Sequence, residues 1–106
     1  MILTSTDEIK GREIKEVLGL VKGNTVRARH VGQDFMAFLR NIVGGEVRNY
    51  TKLIAESREQ AIDRMIAEAE GLGADAIVGV RLITASIMQG SSELLAFGTA
   101  VKLVKQ

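Results

Sequence analysis

Apolar positions recur at changing intervals along this chain, and each interval marks an element. Residues 1–4 read as a short strand, followed by a polar turn over 7–11. Residues 12–22 and 25–31 read as the arms of a hairpin, because Gly23-Asn24 between them supplies the positive φ of a two-residue turn. In the first arm Ile14, Leu18 and Leu20 point one way while Val17 and Val21 point the other, so both faces are partly apolar.

The interval then lengthens to three and four residues. Phe35, Phe38, Leu39, Ile42 and Val43 predict a short helix over 34–43, closed by Gly44-Gly45, because a left-handed C′ position is cheapest for glycine. A long helix is predicted over about 50–72. Its stripe is Ile54, Ala61, Ile62, Met65, Ile66, Ala69 and Leu72, its wet side includes Arg58, Glu59, Asp63, Arg64 and Glu68, and Gly73 is its stop.

Residues 76–88 and 93–104 follow as two long strands around Gly90-Ser91-Ser92. A helix of that size spans about 35 Å, as does a strand of ten or eleven residues, so the helix can lie across this terminal hairpin. Strict alternation puts Ile77, Ile83 and Ile87 on one face of the first strand and Val78, Val80, Leu82 and Met88 on the other. In the second, Leu95, Phe97, Val101 and Leu103 oppose Leu94, Ala96, Ala100 and Val104. One helix covers one face, and a solvated second face would alternate with polar residues. The second face therefore meets another sheet of the chain or a second copy of it, and so short a sequence favours self-association. Arg81 and Lys102 then belong near strand ends or at a subunit boundary.

Composition narrows the function classes. The 106 residues form one domain, 1–106, whose folding buries about 60–70% of the surface of the unfolded chain. With 46% hydrophobic but only 4% aromatic residues, the core is aliphatic. A net charge of +1 gives no electrostatic case for nucleic acid or an anionic membrane. The absence of cysteine removes disulfides, thiolate ligands and thiol nucleophiles together. No secretory leader and no membrane span are expected, so the chain reads as soluble and cytoplasmic.

Candidate chemistry is sparse. Gly71-x-Gly73 stands after a helix and before a strand, the reverse of a phosphate cradle, and reads as a C-cap. Gly44-Gly45 precedes the long helix, so its amides could receive an anion with Arg40 or Arg48 nearby; a plain inter-helix turn is the alternative. His30, the one histidine, could ligate a metal with Asp34 four residues on. A structural metal site takes about four protein ligands, so this requires copies converging on a symmetry axis. Met36, Met65 and Met88 fall on apolar stripes. Glu13, Glu16, Asp75 and Glu93 show no acid–base pairing, Ser91 and Ser92 have no histidine partner, and no catalytic constellation emerges. Arg27 and Arg29 share a strand face, as ordinary solvated arginines do.

Asp34-Phe35, Arg40-Asn41-Ile42-Val43-Gly44-Gly45, Tyr50 and the helix into Leu72-Gly73-Ala74-Asp75-Ala76-Ile77-Val78-Gly79-Val80 resemble the YbjQ-like family. Gly19-Leu20-Val21-x-Gly23 and Gly98-Thr99-Ala100-Val101 extend the resemblance over nearly the whole chain. It implies an α+β fold in which an antiparallel sheet packs a short and a long helix, assembled as a ring-shaped homo-oligomer, commonly a pentamer. The family's label is heavy-metal binding, which implies a metal ion as ligand, although this chain offers few donors for one. Three readings follow. The first is a homo-oligomeric binding or scaffold module with a ligand site at subunit boundaries or on the central axis. The second is a heavy-metal-binding or metal-stress protein using His30 and Asp34. The third is an enzyme for small anions using Arg40, Arg48 and Gly44-Gly45.

Overall fold

The computed structural model describes residues 1–27, 46–88 and 91–105. The expected helix over 34–43 and the Gly44-Gly45 turn lie outside them. The elements are β1 (Ile2–Leu3), β2 (Ile14–Arg27), α1 (Glu46–Gly71), β3 (Ala76–Met88) and β4 (Ser91–Leu103). They form an α+β fold with one four-stranded sheet in the order β1-β3-β4-β2. The sheet is mixed and not purely antiparallel: β2 and β3 run antiparallel to β4, but β1 runs parallel to β3. The parallel pair arises because the chain leaves β1 and returns to it only through the α1 crossover, which parallel neighbours require.

The expected hairpin about Gly23-Asn24 does not form. β2 runs straight through both residues and stays in register with β4 from Val21 opposite Gly98 to Arg27 opposite Ser92. Gly23 serves a different purpose there. A Cβ at this position would run into the backbone of α1 at Ala61 and Met65, and would stand 2.7 Å from the Arg64 Cβ. Glycine is thus required by close approach of helix and strand and not by a turn. Arg64 reinforces the crossing by donating from Nη1 to the Asn24 carbonyl.

Buried residues of α1 follow a narrow stripe of Ser57, Ala61, Met65 and Ala69, with Ile62 and Ile66 at its flank. Ile54 and Leu72, which the apolar pattern assigns to the stripe, are exposed. Small side chains let α1 sit low on the sheet. It packs chiefly on β2, less on β4 and least on β3, so it does not lie across the β3–β4 hairpin as helix and strand lengths alone suggest. Val21, Ala96, Ala100 and Ile77 complete this core.

Gly73 ends α1 with φ +77°. Ala74 N donates to Ala69 O at 3.1 Å and Gly73 N to Glu70 O at 3.0 Å, the bonding pattern of a Schellman cap.

Two bulges overturn the strict alternation of faces. Gly79 and Val80 together oppose Gly98, with Gly79 at φ +62°, a bulge built on a left-handed glycine. Past it the faces exchange, so Val80 and Leu82 join Ile77 on the helix side while Ile83 joins Val78 on the other. In β2 the irregularity between Val17 and Gly19 moves Leu18 to the helix side and leaves Val17 and Leu20 together on the far side. The bulged amides of β3 are used locally: Gly79 N donates to Thr6 O at 2.8 Å and Val80 N to Thr4 O at 2.9 Å. Arg81, mid-strand, is accommodated because its Nη1 donates to the Ser5 carbonyl at 2.7 Å. Lys102 lies one residue from the end of β4.

The expected turn at Gly90-Ser91-Ser92 is tighter than the pattern suggests. Ser91 and Ser92 already belong to β4, paired with Met88 and Ser86.

Part of the far face is covered by the chain itself. Ala76, Val78, Val101 and Leu103 form a second core, closed by Ile9 from the turn before β2 and by Ile14. The remainder is not covered by the described residues, and Val17, Leu20, Val26 and Ile83 are 64%, 66%, 52% and 47% exposed.

Candidate functional site

His30, Asp34, Arg40, Gly44 and Gly45 lie outside the described residues. Arg48 falls in the first turns of α1, within the described backbone. Among the carboxylates, Glu93 accepts from Asn24 Nδ2 at 3.0 Å across the β2–β4 pair. Asp75 is the one with an organising role.

Asp75 stands between the cap of α1 and the first residue of β3. Its backbone N–H donates to Val101 O at 2.9 Å and its carbonyl accepts from Ile2 N at 3.3 Å. Its Oδ2 accepts from Leu103 N at 2.9 Å. One residue thereby ties the helix exit to β1 and to the end of β4. From the other side, Val104 N donates to Glu13 O at 2.8 Å, which brings the start of β2 against the same strand end.

These ties create a cavity of about 730 Å³ at this end of the sheet. Arg12, Lys15, Lys102 and Lys105 line it together with Asp75, and Ile2, Leu103 and Val104 add apolar surface. Each cation arrives from a definable local feature. A turn at Gly11, φ +86°, with Arg12 N bonded to Ile9 O at 3.1 Å, turns Arg12 inward. Lys15 is the extra residue of the irregularity between Ile14 and Glu16. Lys102 comes from β4, and its Nζ lies 3.8 Å from where a side chain at Gly73 would begin. Lys105 is the second residue past the end of β4.

Arg12 and Lys102 are half-buried, whereas Lys15 and Lys105 are exposed. The Nε of Arg12 is buried and has no hydrogen-bond partner among the described residues. Four cations face one carboxylate whose Oδ2 is already occupied by an N–H, so the electrostatics favour an incoming anion. Sequence reasoning missed this grouping, because its members are scattered over positions 12 to 105. The one available signal was Lys102, a cation within the apolar second half of β4.

A metal ion fits the described residues poorly. Among them no three His, Cys, Asp or Glu side chains come together, and the whole chain has one histidine and no cysteine. Also among the described residues, no helix is long and apolar enough to cross a membrane.

Comparison with known proteins places the chain. It is 59% identical over 105 residues to a UPF0145 protein of Vibrio parahaemolyticus, covering 99% of this chain and 100% of that one. It is 49% identical over 106 residues to a UPF0145 protein of Methanosarcina acetivorans, covering both chains in full. Among solved structures, a DUF74-family protein of unknown function from Pediococcus pentosaceus matches with a TM-score of 0.63 over 98% of each chain. At 15% identity that likeness speaks for the fold alone. A family model described as "Putative heavy-metal-binding" matches residues 1–104, and the chain belongs to this YbjQ-like family.

Proposed function

We propose that the protein is a cytoplasmic, homo-oligomeric binding module in which the open face of the sheet forms the boundary between copies and ligand is held at such boundaries or on the axis they enclose. The observation that carries this reading is the exposure of Val17, Leu20, Val26 and Ile83 on one sheet face, opposite the face on which α1 packs over β2 and β4. Fully covering a valine, leucine or isoleucine contributes about 1.5–3 kcal/mol each, so a second copy seated here would gain a sizeable contact. A ring of five is the number that the family resemblance implies.

The family description makes heavy-metal binding the alternative. His30 and Asp34 are its candidates in this chain, and they would need several copies to converge on one ion.

Native mass spectrometry of untagged protein, with metal analysis of the same sample, tests both readings. A ring that falls to smaller species in Leu20→Asp and Val26→Asp supports the module. An unchanged mass in both variants, or a monomeric wild type, would sink it. Stoichiometric metal lost on His30→Ala would favour the alternative.

A further inference from the structure

We propose that the cavity between Arg12, Lys15, Lys102 and Lys105 binds the phosphoryl group of a small phosphorylated metabolite. This site lies within one subunit and does not depend on the self-association argued above.

The charge balance is the first support. Four cations line the cavity against Asp75 alone, and Asp75 Oδ2 already accepts the Leu103 N–H. Lys102 has partial counter-charges, from Glu16 directly opposite it in the β2–β4 register and from the carbonyl end of α1 at Gly73, where the helix dipole is negative. Neither that dipole nor Asp75 accounts for Arg12, Lys15 and Lys105 gathering at the same opening.

The second support is the unpartnered Arg12 Nε. A guanidinium N–H removed from water without an acceptor is unfavourable, and because Arg12 lines the cavity and is only half-buried, a turn of its guanidinium toward a bound anion would give that N–H an acceptor. Arginine presents a planar fork of donors suited to phosphate, and lysines add point charges around it. Inorganic phosphate alone is much smaller than a cavity of about 730 Å³. The apolar surface from Ile2, Leu103 and Val104 provides for an organic body attached to the phosphoryl group.

Titration calorimetry of the full chain with ribose 5-phosphate, inorganic phosphate and ribose, at one ionic strength set with sodium chloride, tests the proposal. Saturable binding of ribose 5-phosphate is expected, with weaker binding of inorganic phosphate and none of ribose. Equal affinities for the two phosphates would support a site that reads the phosphoryl group alone. Arg12→Gln should weaken ribose 5-phosphate at least tenfold and Lys105→Gln about threefold. Circular dichroism reports whether each variant folds, and Lys105→Gln decides the matter should Arg12→Gln not fold. Absence of saturable binding to either phosphate compound, binding of ribose as tight as that of its phosphate, or unchanged affinity in the folded variants overturns the proposal.

Discussion

Under α1 the sheet presents Gly23, Ala96, Gly98 and Ala100, and the helix answers with Ser57, Ala61 and Ala69. On the opposite face, away from the Ile9 and Ile14 cover, it presents Val17, Leu20, Val26 and Ile83 to solvent. Both faces are apolar, and they differ in side-chain size. Small residues permit backbones to approach closely, which suits an element tethered to the same chain and held in one register. Large residues left uncovered offer area to something that arrives from outside. Total hydrophobicity therefore says little about which face is which, and volume alone does not decide it either, since Val21 and Ile77 are fully buried beside the small residues at the helix crossing.

The sharpest way to break the covered face is Gly23→Val. The new side chain would meet the α1 backbone at Ala61 and Met65, which cannot rotate away. Overpacking of about 1–3 kcal/mol is the usual range, and a backbone collision places this variant at or beyond its upper end. Urea denaturation should show a large drop in midpoint or no folded baseline, and a native-like midpoint would refute the close crossing. Met65→Ala opens a cavity at a fully buried position of the same core and should cost about 2–5 kcal/mol in the same measurement.

Gly79→Ala examines the bulge that exchanges the faces of β3. A left-handed conformation costs a non-glycine residue about 1–2 kcal/mol, and no crowding adds to that beyond Asp7 Oδ1 at 3.7 Å. A loss well outside that range would mean that the bulge does more than set the alternation.

The open face should respond least in stability and most in assembly. Leu20→Asp is expected to shift the unfolding free energy of the isolated subunit by no more than about 0.5 kcal/mol, the usual reach of a surface substitution. Its effect belongs in the native mass spectrum. A charge at Val80 would not test the same surface, because the bulge places that residue on the helix side.

Several elements were legible without coordinates. Period-four spacing from Ala61 to Ala69 indicated α1, Gly73 indicated its end, and the long apolar runs on either side of Gly90 indicated β3 and β4. These are local effects, set by side-chain period and by the conformational freedom of one glycine. Gly23-Asn24 misled for an equally physical reason. The pair suits a tight turn, but a strand accepts glycine wherever another backbone crosses closely, and the crossing partner lies some forty residues away. The basic cavity was hidden in the same way. Arg12 and Lys15 precede Lys102 and Lys105 by most of the chain, and the antiparallel pairing of β2 with β4, Ile14 opposite Leu103 and Glu16 opposite Lys102, brings them to one opening, helped by the tie of Val104 to Glu13.

The sequence by itself determined α1, β3 and β4, the aliphatic core, the cap of α1 and the family, since each depends on short-range pattern or on a series of local motifs. Tertiary structure decided which strand lies beneath the helix, where the two bulges reverse the faces, which apolar residues remain open and where four cations meet. Those outcomes depend on backbone approach and strand register between distant segments, and a one-dimensional pattern contains no term for either.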